Sequence, residues 1–337
     1  MASVSQLIKA LSRTKTDYDT SPLLTENIWE LPPWNPNITQ GTLPRLKPVR
    51  GVEQVTQDKI DRLWQPSNIN RLNRIAEQGL EVGGEHWYNT EPLRLAFIDE
   101  LGEAEGDKAF GEFAKYLGAT SPQTKVPANI KRASYFYTHP RHSLNPLDIP
   151  SVKDEFPVFP NITSEGKAVG YGAHTHKTQI PSLTLAQQGS LLNSLYAPKT
   201  SRFEANLLGN LQPVTVDMHN ARSLGWGSNV DPKHYRYLED FNVAQGTELG
   251  VDPAQWQSSL WMFDSPNTGV ADPRLFMQIF NDRIALTSKN TGKTQKKVLS
   301  DFINKKAPLH SFALPIGGVG GLLESMGQFE SLDDGFI

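Results

Sequence analysis

The chain has 337 residues, with 33 Lys and Arg against 36 Asp and Glu, a net charge of −3. That length suits one large domain or two small ones, and the slight acidity excludes a global basic field, so any DNA surface must be local. There is no cysteine, which excludes disulfides, thiolate zinc sites, iron–sulfur clusters and cysteine nucleophiles.

The opening MASVSQLIKALSRTK spaces its apolar residues as on a short helix and has no continuous apolar stretch, so it is not expected to be a secretory signal. No run of about 18 apolar residues occurs, so no membrane partner is expected. The expected location is the cytoplasm of a cell, or a virion if the source is a phage. Residues 17–50 are rich in Pro and Asn and show no period, which reads as an N-terminal arm, 1–50, ordered where Trp29, Leu31 and Trp34 meet a groove. The arm is a candidate surface for a protein partner.

Helical spacing dominates from residue 52 to 118. Val55, Ile60 and Leu63, then Ile69, Leu72 and Ile75, recur at helical intervals. Thr90, Glu91 and Pro92 form a helix start. Phe110, Phe113, Ala114 and Leu117 share one face, with Gly118 as a stop. The segment 121–137 is expected to be helical after Pro127. A long polar stretch, 138–182, follows, and loops of that length are usually functional or partly structured. Helices are expected again at 184–196, 198–208 and 218–224. Three more each open with Asp-Pro, at Asp231, Asp252 and Asp272, an N-cap followed by proline at the first helical position. No strand alternation is evident. The expected class is all-α, with a helical domain over 51–286, and a Lys-rich helix and flexible tail over 287–337.

Within this order the segment APKTSRFEANLLGNLQPVTVDMH, 197–219, stands out. Lys199 falls in the first turn of a helix, where the partial positive charge prefers anions. The helix 198–208 is about 16 Å long, and the connector 209–216 can reach about 26 Å when extended. The chain can therefore run back along the helix and bring Asp217 beside Lys199. Against apolar walls the amine loses protons more easily, while the aspartate opposes that. A free amine can attack a sugar C1′ and form a Schiff base, and a carboxylate can stabilise the positive sugar as a base departs. The competing reading is a plain N-cap at Asp217 and a solvated surface lysine at Lys199.

The pair PKTSRFEANLLG and VTVDMHNARSLG resembles the helix–hairpin–helix (HhH-GPD) DNA glycosylase superfamily that includes endonuclease III, in which a Lys-Thr opens a helix and an apolar Val-Asp-x-His follows. FAKYLGATSPQTKVPANIKRASYFY is similar to that family's early helix pair. The resemblance covers roughly 105–265. It implies an HhH-GPD-like helical core, DNA as partner, no cofactor, Lys199 as the Schiff-base nucleophile, Asp217 as the catalytic aspartate and Gln123 as the residue inserted into the duplex, with Lys125 beside it. The family's hairpin turn is glycine-rich, because backbone amides approach a phosphate there. The corresponding SLYAPK has no glycine. The N-terminal arm and 235–263 resemble phage proteins with this type of domain. The implied function is base excision at a flipped nucleotide. The alternatives are phage-type DNA hypermodification on the same fold and a non-enzymatic phage structural or DNA-packaging protein.

Other residues invite chemistry. His174 with His176, and His139 with His142, suggest metal ligation, but no acidic ligand set accompanies them and no metal site is expected. His219 is expected to serve a local structural role or bond a phosphate. Residues 287–306 hold Lys289, Lys293, Lys296, Lys297, Lys305 and Lys306 against Asp301 alone. That run is either a solvated face or a phosphate-contacting stripe. Trp87 and Tyr88 are candidates for stacking on a base or for core packing.

Overall fold

The computed structural model describes residues 54–122, 124–138, 182–183, 186, 198–227, 230, 232–270 and 273–309. Its main elements are α1 (Gln54–Leu63), α2 (Pro66–Glu81), a 3-10 turn (Gly84–His86), α3 (Glu91–Leu101), α4 (Glu103–Thr120), α5 (Val126–Thr138), α6 (Pro198–Leu207), α7 (Met218–Ser223), α8 (Pro232–Leu249), α9 (Pro253–Thr268), α10 (Phe276–Thr291) and α11 (Gln295–Ile303). No strand occurs among the described residues. The fold is all-α.

Two apolar cores organise the helices. The first gathers α3, α4, α5, α10 and α11 around interlocked aromatic rings: Phe113 lies 4.9 Å from Phe302 edge-on, and Tyr137 lies 5.2 Å from Phe302. The second gathers Leu72 and Ala76 of α2, Val214 and Val216, Ala221 of α7, Leu238 and Phe241 of α8, and Trp256 and Leu260 of α9. Helix α9 serves both cores, since its Ala254 and Met262 belong to the first. Gly79 lets α2 press on α9: a Cβ there would stand 1.9 Å from the Ser259 carbonyl oxygen.

Helices α3, α6, α8 and α9 each carry the expected proline in their first turn, while Asp231 itself and most of the expected helix 184–196 lie outside the described residues. Pro92 sits in the first turn of α3, and the Gln255 side chain accepts from the Asp252 amide at 3.1 Å to open α9. The Asp272-Pro273 start fails. Helix α10 begins at Phe276, where Gln278 Oε1 accepts from the Leu275 amide at 3.0 Å and so satisfies an amide donor at the helix start. Gly118 is a second correction. It does not stop α4, which continues to Thr120, but lies buried where α6 crosses, with space for no side chain.

Helix α10 runs through residues 286 and 287, and Val298, Leu299, Phe302 and Ile303 of α11 fill the first core. The segment up to Leu309 therefore packs in the same body as the helices before it. Trp87 and Tyr88 are core residues: both are buried, and the Trp87 indole donates to the Arg274 carbonyl at 3.1 Å. Neither ring is available to stack on a base. The expected helix at 1–16, the arm, most of 138–197 and the tail after Leu309 lie outside the described residues, as do the four histidines of the metal reading.

Candidate functional site

The return from α6 to α7 is fixed by buried polar bonds. Gly209 turns the chain with φ of 83°, a left-handed conformation that favours glycine. Asn206, at the end of α6, then holds the connector. Its Nδ2 donates to the carbonyls of Asn210 (2.9 Å) and Pro213 (2.8 Å), and its Oδ1 accepts from Thr215 Oγ1 at 2.7 Å. From α8, the Tyr235 hydroxyl accepts from the Val216 amide at 2.8 Å and donates to the Val214 carbonyl at 2.7 Å. Glu239 Oε1 accepts both from the Val214 amide at 3.2 Å and from Arg202 Nε at 3.0 Å, and Arg202 Nη2 reaches Oε2 at 3.3 Å. This bidentate pair ties α6, the connector and α8 together, and its geometry compensates two buried charges.

The connector delivers Asp217 as the N-cap of α7, with Oδ1 accepting from the Asn220 amide at 2.8 Å. The cap leaves carboxylate capacity to spare. A reciprocal amide pair, Asn220 with Asn242, locks α7 against α8. At the far side His219 Nδ1 lies 3.2 Å from the Thr268 carbonyl oxygen, which also accepts from Arg222 at 2.8 Å. That is a local structural role for His219.

Lys199 lies in the first turn of α6 and is half-buried. Its Nζ donates to the Ser121 carbonyl at 3.4 Å, a long bond from the first turn of α6 to the end of α4. Desolvation pushes the amine below its ordinary value, and the Asp217 charge pulls it back up. Among the described residues the two groups share a field without a direct ion pair. Tyr88 joins them from the first core. Its hydroxyl donates to Gln257 Oε1 at 2.9 Å; burial pushes the phenol far up, a hydrogen bond with Thr215 opposes this, and the Asp217 charge adds to it. The site thus lies at the seam of the two cores.

Gln123 lies outside the described residues. Lys125 is exposed just before α5. Lys289 and Lys296 are exposed on α10 and α11. Lys293 and Lys297 converge on Asp301 at 2.8 and 2.7 Å, and Lys305 reaches Glu112 at 2.6 Å. Half of the lysine run is therefore spent on internal carboxylates. Burial alone would raise the Asp301 carboxyl, but the hydrogen bonds and charges of Lys293 and Lys297 outweigh it and hold it below its usual value. Thr215, Asn206, Tyr235 and Glu239 are the residues that sequence reading did not assign to the site, and Tyr88 enters it as a buried hydroxyl rather than as a stacking ring. The sequence signal for them is thin: Thr215 is the polar residue inside the apolar Pro-Val-Thr-Val.

Residues 53–265 match the family model described as "Family of unknown function (DUF7178)". The chain belongs to that family. The match carries Tyr88, Lys199 and Asp217 and ends inside α9, so α10 and α11 lie beyond it. No curated protein and no solved structure matches the chain. Among the described residues of this family member, no helix is long and apolar enough to cross a membrane, and no three His, Asp or Glu side chains stand together as a metal site.

Proposed function

We propose that this chain is an HhH-GPD-like enzyme that excises a base from a flipped nucleotide in DNA, with Lys199 as nucleophile and Asp217 as its electrostatic partner. One observation carries the reading: Lys199 stands in the first turn of α6 with its Nζ on the Ser121 carbonyl rather than on a carboxylate, and Asp217, held as the cap of α7, is near enough for its charge to reach that amine. A solvated surface lysine has neither property. The Nζ lone pair attacks C1′ while the C1′–N bond breaks toward the base, which takes up a proton. The sugar ring then opens at O4′, which takes the amine proton and leaves a C1′=N imine. Asp217 stabilises the positive charge that develops at C1′ before the bond to Nζ is complete. Base flipping is required because C1′ of a stacked nucleotide is out of reach of this chemistry.

Borohydride reduction tests the proposal, because hydride turns the imine into a stable secondary amine. The full chain, incubated with a panel of abasic, damaged and modified duplexes, should become covalently linked to at least one of them, and Lys199→Gln should not. A wild type that cross-links to none, or a Lys199→Gln variant that cross-links as well, would overturn the assignment.

A further inference from the structure

Helix α6 carries, two residues past the Arg202 clamp, a carboxyl group that nothing holds. Glu204 is 0% exposed, and neither of its carboxyl oxygens has a hydrogen-bond partner. It lies where α6 crosses α4. A Cβ on Gly118 would stand 2.9 Å from the Thr200 carbonyl oxygen and 3.2 Å from Glu204 Cβ, so the two backbones nearly touch and leave no space for a hydration shell. The cations around it are few. On α6 itself, Arg202 is engaged by Glu239 and Lys199 faces Ser121. On α4, Lys115, one turn before Gly118, is the cation whose field reaches the carboxyl. Burial outweighs Lys115 and pushes the Glu204 carboxyl up to about 8. An ionised carboxylate at this crossing would be an uncompensated buried charge, which is strongly unfavourable. Parting the helices relieves it by admitting water. The contact between Ser121 and Lys199 lies at the ends of these same two helices.

We propose that Glu204 is a proton-operated latch between α4 and α6: protonated, it lets the helices close at Gly118, and its ionisation parts them and releases Lys199 from the Ser121 carbonyl. The latch does not depend on what Lys199 reacts with. The closed form holds a proton that the open, hydrated form loses near the ordinary value of 4.5. Opening therefore becomes easier by about tenfold per pH unit from there upward, and levels off above about pH 8.

Amide hydrogen exchange of the full chain, corrected for the intrinsic pH dependence of exchange, reads this directly. Protection of 113–121 and 198–208 should fall about 100-fold between about pH 5.5 and about pH 7.5, while 235–249 in α8 holds steady. Glu204→Gln, which keeps the shape and removes the charge, should abolish that fall. A wild type whose protection is flat, or a fall that persists in Glu204→Gln, would overturn the latch. If Glu204→Gln does not fold, Lys115→Met decides: without the cation that favours ionisation, the fall must extend to higher pH, and an unchanged curve would refute the proposal.

Discussion

Two lysine–aspartate arrangements in this chain use the same residue types for opposite ends. At the C-terminal end, Lys293 and Lys297 grip Asp301 directly, and the carboxyl is held below its usual value. At the seam of the two cores, Lys199 is kept from direct pairing with Asp217, which spends its bond on capping α7, and the amine is pushed down by desolvation. A direct pair fixes both charges and makes a structural tie. Separation under low solvation biases the lysine toward its neutral, nucleophilic form. What distinguishes the sites is the third party: Asn206, Tyr235 and Glu239 hold the connector independently of Lys199, so Asp217 is placed without needing the lysine.

The comparison breaks first at Asp217. Asn caps a helix about as well as Asp, so Asp217→Asn should lose little stability in a denaturant titration. It removes the charge that stabilises the cationic sugar, and single-turnover rates on a cross-linking substrate should fall by about 100-fold or more. A rate within a few-fold of wild type would reduce Asp217 to a cap.

Next in size is the tie that sets the connector. Arg202→Met leaves Glu239 buried and unpaired, and breaking a buried pair costs about 3–5 kcal/mol. Chemical denaturation should show a loss in that range. A loss under about 1 kcal/mol would mean that the pair does not hold the return segment.

At the structural pair the effect is smaller and depends on acid. Asp301 has a folded value below its ordinary 3.8, so its contribution is fully present above that value and is lost as pH falls through the folded value. The two lysines are half-exposed, which limits the contribution to about 1 kcal/mol. Asp301→Asn should lose that amount at neutral pH and show a shallower decline in acid. Identical acid profiles for the variant and the wild type would contradict the pairing.

The smallest effect concerns DNA contact. Lys289 and Lys296 are exposed, whereas Lys293 and Lys297 are engaged by Asp301. If the run meets phosphate, Lys296→Glu should lower the salt dependence of DNA binding by about one phosphate contact. An unchanged salt slope would leave the run as a solvated face.

The fold was legible where local chemistry decides it. Pro198, Gly209 and Asp217 announce a helix, its end and the next cap, and the structure has them in those roles. Proline after a cap worked for α9 because Gln255 closes the turn, and failed at Pro273 because Gln278 satisfies a start three residues later. Distance in the chain hid the rest. Tyr235 and Glu239 meet the connector from about a helix away, and Tyr88 reaches Gln257 across the body. Glu204 was the least legible: an acidic residue in a helix suggests a solvated face, and only the approach at Gly118 shows that it is buried. The lysine run looked like free charge because one carboxylate, Asp301, takes both Lys293 and Lys297, and because Glu112, which takes Lys305, lies far away in sequence.

The most direct test of the contrast is the titration of Lys199 itself. Reductive methylation with carbon-13 gives each lysine an NMR signal, and Lys199→Gln assigns the one in question. The account expects Lys199 to titrate below the ordinary lysine value of 10.5 and to fall further in Asp217→Asn, because the aspartate raises it. A Lys199 that titrates at the ordinary value, or that ignores Asp217→Asn, would contradict the claim that this lysine is desolvated within the field of that carboxylate.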